Sequence, residues 1–252
     1  MPPVLTAERR DAIAKMVAHR GTVRVTDLVT RLDVHASTIR RDLQALEARG
    51  MVRRVHGGAV AVEGAAPADR GAPSGSQEAR IGQAVAEMVA DGETVFLGPG
   101  RLPLEVARRL AKHSRLTIVT NGLEIAKWIA VHTPHTLIVT GGQAEERDLR
   151  LVGHLARSAL ANLRADHVVL ELGGISAVDG LTEDSLAQVE ISRLLLELGA
   201  QVIVVVPAER VGRVAAAHIA PAADADVVVT GREAPSAFLW DLSESGIRVV
   251  LA

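Results

Sequence analysis

Between Ala7 and His19 the apolar positions Ile13, Met16 and Val17 recur at helical spacing, which predicts a first helix ended by Gly21. Thr26 is placed to cap a short second helix, DLVTRL, and Asp33-Val34-His35 forms a tight connection to a third that begins near Ser37. In the third helix Ile39, Leu43 and Leu46 stand at i, i+4 and i+7 and make one buried stripe, and Gly50 stops it. MVRRVHGGAVAV follows as a short β-branched run broken by Gly57-Gly58, the pattern of a hairpin with a glycine turn. Three short helices and a hairpin predict a small winged helix-turn-helix domain over residues 1–61.

Apolar periodicity then disappears. VEGAAPADRGAPSGSQE, residues 62–78, is rich in Ala, Gly, Pro and Ser and is expected to be a linker. From residue 79 to 252 a different pattern takes over. Apolar β-branched runs at TVFLGPG (94–100), LTIVTN (116–121), TLIVTGG (136–142), HVVLELGG (167–174), QVIVVVP (201–207), DVVVTG (226–231) and IRVVLA (247–252) alternate with amphipathic stretches near 79–90, 103–112, 122–132, 153–163, 186–198 and 234–244. Continuous apolar strands covered by helices on both faces predict an α/β domain with a mostly parallel sheet. Ligands of such sheets bind beyond the carboxyl ends of the strands, so the loops after these runs are the place to look for a site.

Charge changes the picture of the head. Residues 1–60 hold 11 basic and 6 acidic side chains, the rest 17 and 24, so a basic head precedes an acidic body. A small basic module suits contact with phosphates, whereas an acidic body avoids unproductive contact with DNA. With Ile39, Leu43 and Leu46 turned inward, Ser37, Thr38, Arg40, Arg41 and Gln44 are left on the sides and outer surface, towards the end of the helix that such motifs insert into the major groove. Ser37 and Thr38 suit phosphate oxygens, and Arg40 or Arg41 suits guanine O6 and N7. Arg53, Arg54 and His56 on the hairpin are placed for neighbouring phosphates or the minor groove. The only aromatic residues are Phe96, Phe238, Trp128 and Trp240, which argues against base stacking on single strands.

At this point the head resembles a known family. ERRDAIAKMVAHRGTVRVTDLVTRLDVHASTIRRDLQALEARGMVRRVHGGAV is similar to the N-terminal domain of DeoR-type transcriptional regulators, including the TIRRDL core, the Leu-Glu pair, Gly50 and the arginine-histidine-glycine-glycine wing. The resemblance implies a regulator, usually a repressor, of a double-stranded DNA operator; because one small module buries too little surface for tight specific binding, a homo-oligomer, dimer or tetramer, is expected. It also implies a C-terminal domain that resembles ribose-5-phosphate isomerase in fold and senses a small-molecule effector, a phosphorylated sugar. Landmarks of that domain recur in order: Thr120-Asn121, Gly141-Gly142, Val152-Gly153, Gly173-Gly174-Ile175 and Gly180-Leu181-Thr182.

Glycine loops ahead of helix N-termini bind anions, and Gly98-Pro99-Gly100 has that form, although it also reads as an ordinary strand-ending turn. The expected effector residues are Gly98, Gly100, Arg101, Thr120, Asn121, Gly141, Gly142, Gly173, Asp179, Glu190 and Arg210. Several positions depart from the family. Its Gly-Ser-Gly-Thr-Thr loop is replaced by Gly98-Pro99-Gly100-Arg101-Leu102, so hydroxyls are lost and a guanidinium is gained. An Asp and a Lys after the fifth strand become Pro207-Ala208-Glu209-Arg210-Val211-Gly212, Ser192 stands where a Lys is common, and Glu171 occupies a usually small position within a strand. A carboxylate among apolar neighbours has to be paired or to face a cavity.

Two other function classes compete. An enzyme is suggested by the isomerase-like body and by Asp179 and Glu190 beside glycine loops, but the missing Lys and Asp weaken it. A regulator with a degenerate sensor fits the altered loops. No cofactor is expected. No cysteine is present, so disulfides and thiolate metal sites are excluded, and Pro134 breaks any helix that would pair His132 with His135 on a metal. No apolar run approaches the ~20 residues of a membrane span, which makes the cytoplasm the default compartment and a membrane partner unexpected.

Overall fold

The computed structural model describes residues 9–10, 12–14, 16–17, 22–32, 34–47, 52–55, 57–61, 72–73, 75–145 and 149–252. The expectations for Gly21, Gly50, His56 and most of the 62–78 linker lie outside them. The chain divides into two compact units, Met1–Arg70 and Gly71–Ala252.

In the first unit, residues 9–10, 12–14 and 16–17 are helical and contribute Ile13 and Val17 to a small core. Strand β1 (Thr22–Arg24) follows, then helices α1 (Val25–Leu32) and α2 (Ala36–Glu47) and strands β2 (Val52–Val55) and β3 (Gly58–Ala61). The hairpin has its turn at Gly57, whose φ of +84° suits glycine, and β1 joins it in the antiparallel order β1-β3-β2. β1 was not expected, because three residues carry no readable alternation. It approaches so closely that a side chain on Gly58 would collide with the Val23 carbonyl. α1 also starts one residue before the expected cap: Val25 is its first residue and Thr26 lies inside it. The Val25 N–H donates to the Gly57 carbonyl at 2.9 Å, so the hairpin turn does the work assigned to Thr26.

In the second unit α3 (Gln77–Ala86) begins at a Ser76 cap, so Gln77 and Glu78 are helical and not linker. It leads into β4 (Thr94–Leu97), α4 (Arg101–Leu110), β5 (Thr117–Thr120), α5 (Leu123–His132), β6 (Thr136–Val139), the short pair β7 (Gln143–Ala144) and β8 (Leu151–Val152), and α6 (His154–Leu160). β9 (Ala165–Glu171), β10 (Gly174–Ser176), β11 (Gly180–Glu183), α7 (Leu186–Leu196), β12 (Gly199–Val205), β13 (Ala217–Ala220), β14 (Val227–Thr230), α8 (Ser236–Glu244) and β15 (Arg248–Leu251) complete it.

All seven expected strands join one sheet in the order β15-β14-β12-β9-β4-β5-β6, every pair parallel. Val95, Leu97, Val169, Ile203 and Val205 pack with α3, α4 and α5 on one face, and Phe96, Val168, Leu170, Val202 and Val204 pack with α6 and α7 on the other. This alternation is why the strands read as continuous apolar runs: both faces are covered. β10, β11 and β13 form a separate antiparallel sheet that the apolar pattern did not announce. After β4 the chain proceeds through α4 to β5, and after β9 through α7 to β12, on the opposite side. β4 and β9 therefore flank the point where strand order reverses, and it is beyond the carboxyl ends of such strands that sheets of this kind bind ligands.

Candidate nucleic-acid interface and effector site

α2 turns Ile39, Leu43 and Leu46 inward and leaves Ser37, Arg40, Arg41 and Gln44 exposed, with Thr38 half-buried. Its first turn is closed by the His35 carbonyl, which accepts from the N–H groups of Thr38 and Ile39, and His35 Nδ1 lies 3.1 Å from Ser37 Oγ. Asp42, a charged residue by type, also faces inward and is 1% exposed. Its two oxygens accept from Arg9 Nε at 2.6 Å and Arg10 Nε at 2.8 Å, so α2 is fastened to the helical residues that precede it. A buried carboxylate is tolerable only with such partners. On the hairpin Arg53 and Arg54 are exposed. The Arg54 N–H donates to Glu47 Oε1 at 2.9 Å and its guanidinium lies 3.9 Å from the same carboxylate, which ties the wing to the end of α2. Asp42, Arg9, Arg10 and Glu47 carry no signal in the apolar pattern, because their role depends on which elements meet.

In the second unit the ends of β4 and β9 bring together Gly98, Gly100, the backbone of Arg101, Glu171 and Arg210. α4 opens without a side-chain cap of its own: its cap residue is Gly100, with φ +139°. Glu171 supplies the missing acceptor from the neighbouring strand. Residues 169 and 171 of β9 share a face, the one that α4 covers, and Glu171 Oε2 accepts the Leu102 N–H at 2.9 Å. Arg210 Nη1 donates to the other oxygen at 3.1 Å and to the Leu172 carbonyl at 3.0 Å. Burial pushes the Glu171 carboxyl above its ordinary range, while the Leu102 N–H, Arg210 and Arg101 pull it back. The Arg101 side chain is itself 81% exposed and reaches Glu78 at 3.4 Å.

The other expected effector residues make their hydrogen bonds outside that group. Thr120 is fully buried, donates to the Leu97 carbonyl at 2.6 Å and accepts from the Gly122 N–H at 3.0 Å. Asn121 is fully buried and donates to the Leu151 carbonyl at 3.1 Å, which holds β8 beside the end of β5. Gly141 and Gly142 form the turn that leads into β7. Gly173 permits close backbone approach to Glu183, Asp184 and Ala215. Asp179 accepts from Ser176 Oγ at 3.1 Å in the exposed turn between β10 and β11, and Glu190, itself exposed, pairs with Arg157 at 3.2 Å. Neither carboxylate stands with Glu171. Ser192 is buried on α7 and faces Gln188.

A second polar group follows β11 and was not expected. Glu183 is buried, accepts from the Asp184 N–H at 2.8 Å, and is pushed above its ordinary range by desolvation. Arg213 donates to both oxygens of Asp184, at 3.0 and 2.8 Å, and to the Gly173 carbonyl; those bonds hold Asp184 below its ordinary range. His132 and His135 each lie against a backbone carbonyl, of Trp128 and Leu110 respectively, at 2.9 Å. Among the described residues no three His, Cys, Asp or Glu side chains lie together as a metal site, and no helix is long and apolar enough to cross a membrane.

Residues 9–64 match the model of a DeoR-like helix-turn-helix domain, and residues 75–232 match that of the DeoR C terminal sensor domain. The glycerol-3-phosphate regulon repressor of Escherichia coli K12 is 30% identical over 247 residues, 97% of this chain and 98% of that protein. The HTH-type transcriptional repressor CsqR of the same organism is 30% identical over 247 residues (96% and 94%). The HTH-type transcriptional regulator GolR of Listeria innocua is 28% identical over 249 residues (97% and 98%). Among solved structures, a ribose 5-phosphate isomerase from Methanocaldococcus jannaschii aligns over 53% of this chain and 52% of its own, with a TM-score of 0.38 and 11% identity.

Proposed function

The chain belongs to the DeoR family of DNA-binding transcription regulators, and on that premise we propose that it represses transcription from an operator whose occupancy a small metabolite controls. Its named relatives are repressors and regulators, and the chain is a regulator and not an enzyme. The observation that carries the reading is the exposed row Ser37, Arg40, Arg41 and Gln44 on a helix that Asp42 holds to its neighbour. In this reading α2 enters the major groove, Arg40 or Arg41 reads guanine, and Arg53 and His56 meet the flanking backbone. Arg54 contributes less than Arg53, since Glu47 already engages it.

Residues 1–61 read DNA, and the second unit, whose first helix starts at Gln77, senses the effector and holds the homo-oligomer together. One small module buries too little surface for tight specific binding, so a dimer or tetramer engages repeated half-sites. The effector binds beyond β4 and β9 and shifts operator affinity by its unequal affinity for two arrangements of the reading heads. A phosphorylated sugar or polyol is the class supported by the name of the glycerol-3-phosphate regulon repressor.

Selection of bound sequences from a random DNA pool, repeated with sugars and sugar phosphates, tests both halves. A recovered motif with repeated half-sites, weakened by at least one metabolite, is the expected result. No enriched motif would sink the DNA reading, and a motif that no metabolite alters would sink the sensor reading.

A further inference from the structure

The carboxyl ends of β4 and β9, where strand order reverses, bring together the parts of an anion site. The first turn of α4 presents backbone N–H groups and the positive end of a helix dipole, Gly100 leaves the approach clear of a side chain, and Arg210 adds a guanidinium. The position is already filled, by the chain's own carboxylate. Glu171 takes the Leu102 N–H with one oxygen and Arg210 Nη1 with the other. A Cβ built on Gly100 would stand 2.5 Å from that first oxygen, so the carboxylate lies against the glycine that a phosphate would need to approach. A phosphate brought here meets the Leu102 N–H and Arg210 Nη1 already engaged, and a carboxylate within a few ångströms. The carboxyl is nevertheless not sealed: its side chain stays 12% accessible, and each oxygen retains a lone pair.

We infer that Glu171 determines specificity as an internal anion, barring phosphate from the α4 N-terminus and accepting hydrogen bonds from the hydroxyl groups of a sugar or polyol instead. The phosphate of a phosphorylated effector then lies away from α4 or is absent. Naming the hydroxyl end as the ligand rests on the proposed effector site; the exclusion of phosphate does not, and it is tested without any effector.

The test is calorimetric titration of inorganic phosphate into the full chain at constant ionic strength, for the wild type, Arg210→Ala, Glu171→Gly and the double variant Glu171→Gly/Arg210→Ala. The wild type is expected to give no saturable binding at millimolar phosphate. Glu171→Gly is expected to bind one phosphate per chain, about tenfold or more tighter than the wild type, and Arg210→Ala is expected to remove the gain. Should Glu171→Gly lose its cooperative melting transition, Glu171→Ala replaces it with the same expectation. Wild-type phosphate binding that Arg210→Ala weakens would overturn the inference, because the carboxylate then fails to exclude. So would a folded Glu171→Gly or Glu171→Ala that binds phosphate no better than the wild type, which is the result expected of a carboxylate that only caps α4. If the phosphate results hold and no sugar alters operator binding, the effector reading fails and the exclusion stands.

Discussion

Replacing Asp42 with Ala removes the carboxylate that ties α2 to the helical residues before it. Asp42 is 1% exposed and accepts two charge-assisted bonds at 2.6 and 2.8 Å. Bonds of that kind contribute about 1.5–3 kcal/mol each, and removing one partner of a buried pair costs about 3–5 kcal/mol because the opposite charge stays behind. The Arg9 and Arg10 side chains are 12% and 29% exposed, so water recovers part of their solvation and the lower end, about 3 kcal/mol, is expected. At ~0.05–0.15 kcal/mol per residue, a unit the size of Met1–Arg70 holds about 4–10 kcal/mol in all. The loss is therefore a large fraction of what keeps the reading helix in place.

The assay follows from where the tryptophans are. Trp128 and Trp240 both belong to the second unit, so their fluorescence reports that unit alone, while far-ultraviolet circular dichroism reports both. In urea, Asp42→Ala is expected to advance the dichroism change of the first unit, leave the fluorescence transition in place and abolish operator binding. Asp42→Asn, which keeps the shape and loses the charge, is expected to fall between. A dichroism midpoint that moves by less than about 0.5 kcal/mol, the scale of an inconsequential surface substitution, with operator binding retained, would refute the reasoning.

Arg41→Ala leaves an exposed position and is expected to keep both unfolding transitions while lowering operator affinity by about 1–3 kcal/mol, the discrimination of one bidentate base contact; an unchanged gel-shift titration counts against α2 as the reader. Gly100→Ala forces a side chain at φ +139° and against Glu171 Oε2, and is expected to cost about 1–3 kcal/mol, seen as a lower melting temperature of the fluorescence transition. Glu171 and Glu183 both have folded-state values raised above the ordinary 4.5, so the folded chain holds those protons longer. Their contribution favours folding at acid pH and is lost as pH rises from about 4.5 through the raised values. Glu171→Gln removes one such group, so the wild type is expected to lose stability relative to it as pH rises across that window, measured by urea midpoints; a difference that runs the other way would contradict the direction of the shift.

The reading helix was legible because its determinants are local. Ile39, Leu43 and Leu46 repeat at helical spacing, and their burial leaves Arg40 and Arg41 outside whatever the rest of the chain does. The parallel sheet was legible for the same reason: its inner strands are covered on both faces and so announce themselves as unbroken apolar runs. Thr120 and Asn121 lie at the end of β5, where which way a side chain turns depends on its neighbour, and their donors go to the backbone carbonyls of Leu97 and Leu151. β1, three residues long, and the sheet of β10, β11 and β13 escaped notice because short strands have too few positions to show a period.

By itself, then, the sequence determined the two periodicities, the basic head and the α/β body, since these follow from interactions between residues a few positions apart. Only the tertiary structure decided that Asp42 anchors α2 from its inner face and that Glu171 accepts the Leu102 N–H at the start of α4. Both are charges whose burial is tolerated through partners 32 to 69 positions away in the chain, and no local pattern specifies what such a partner will be.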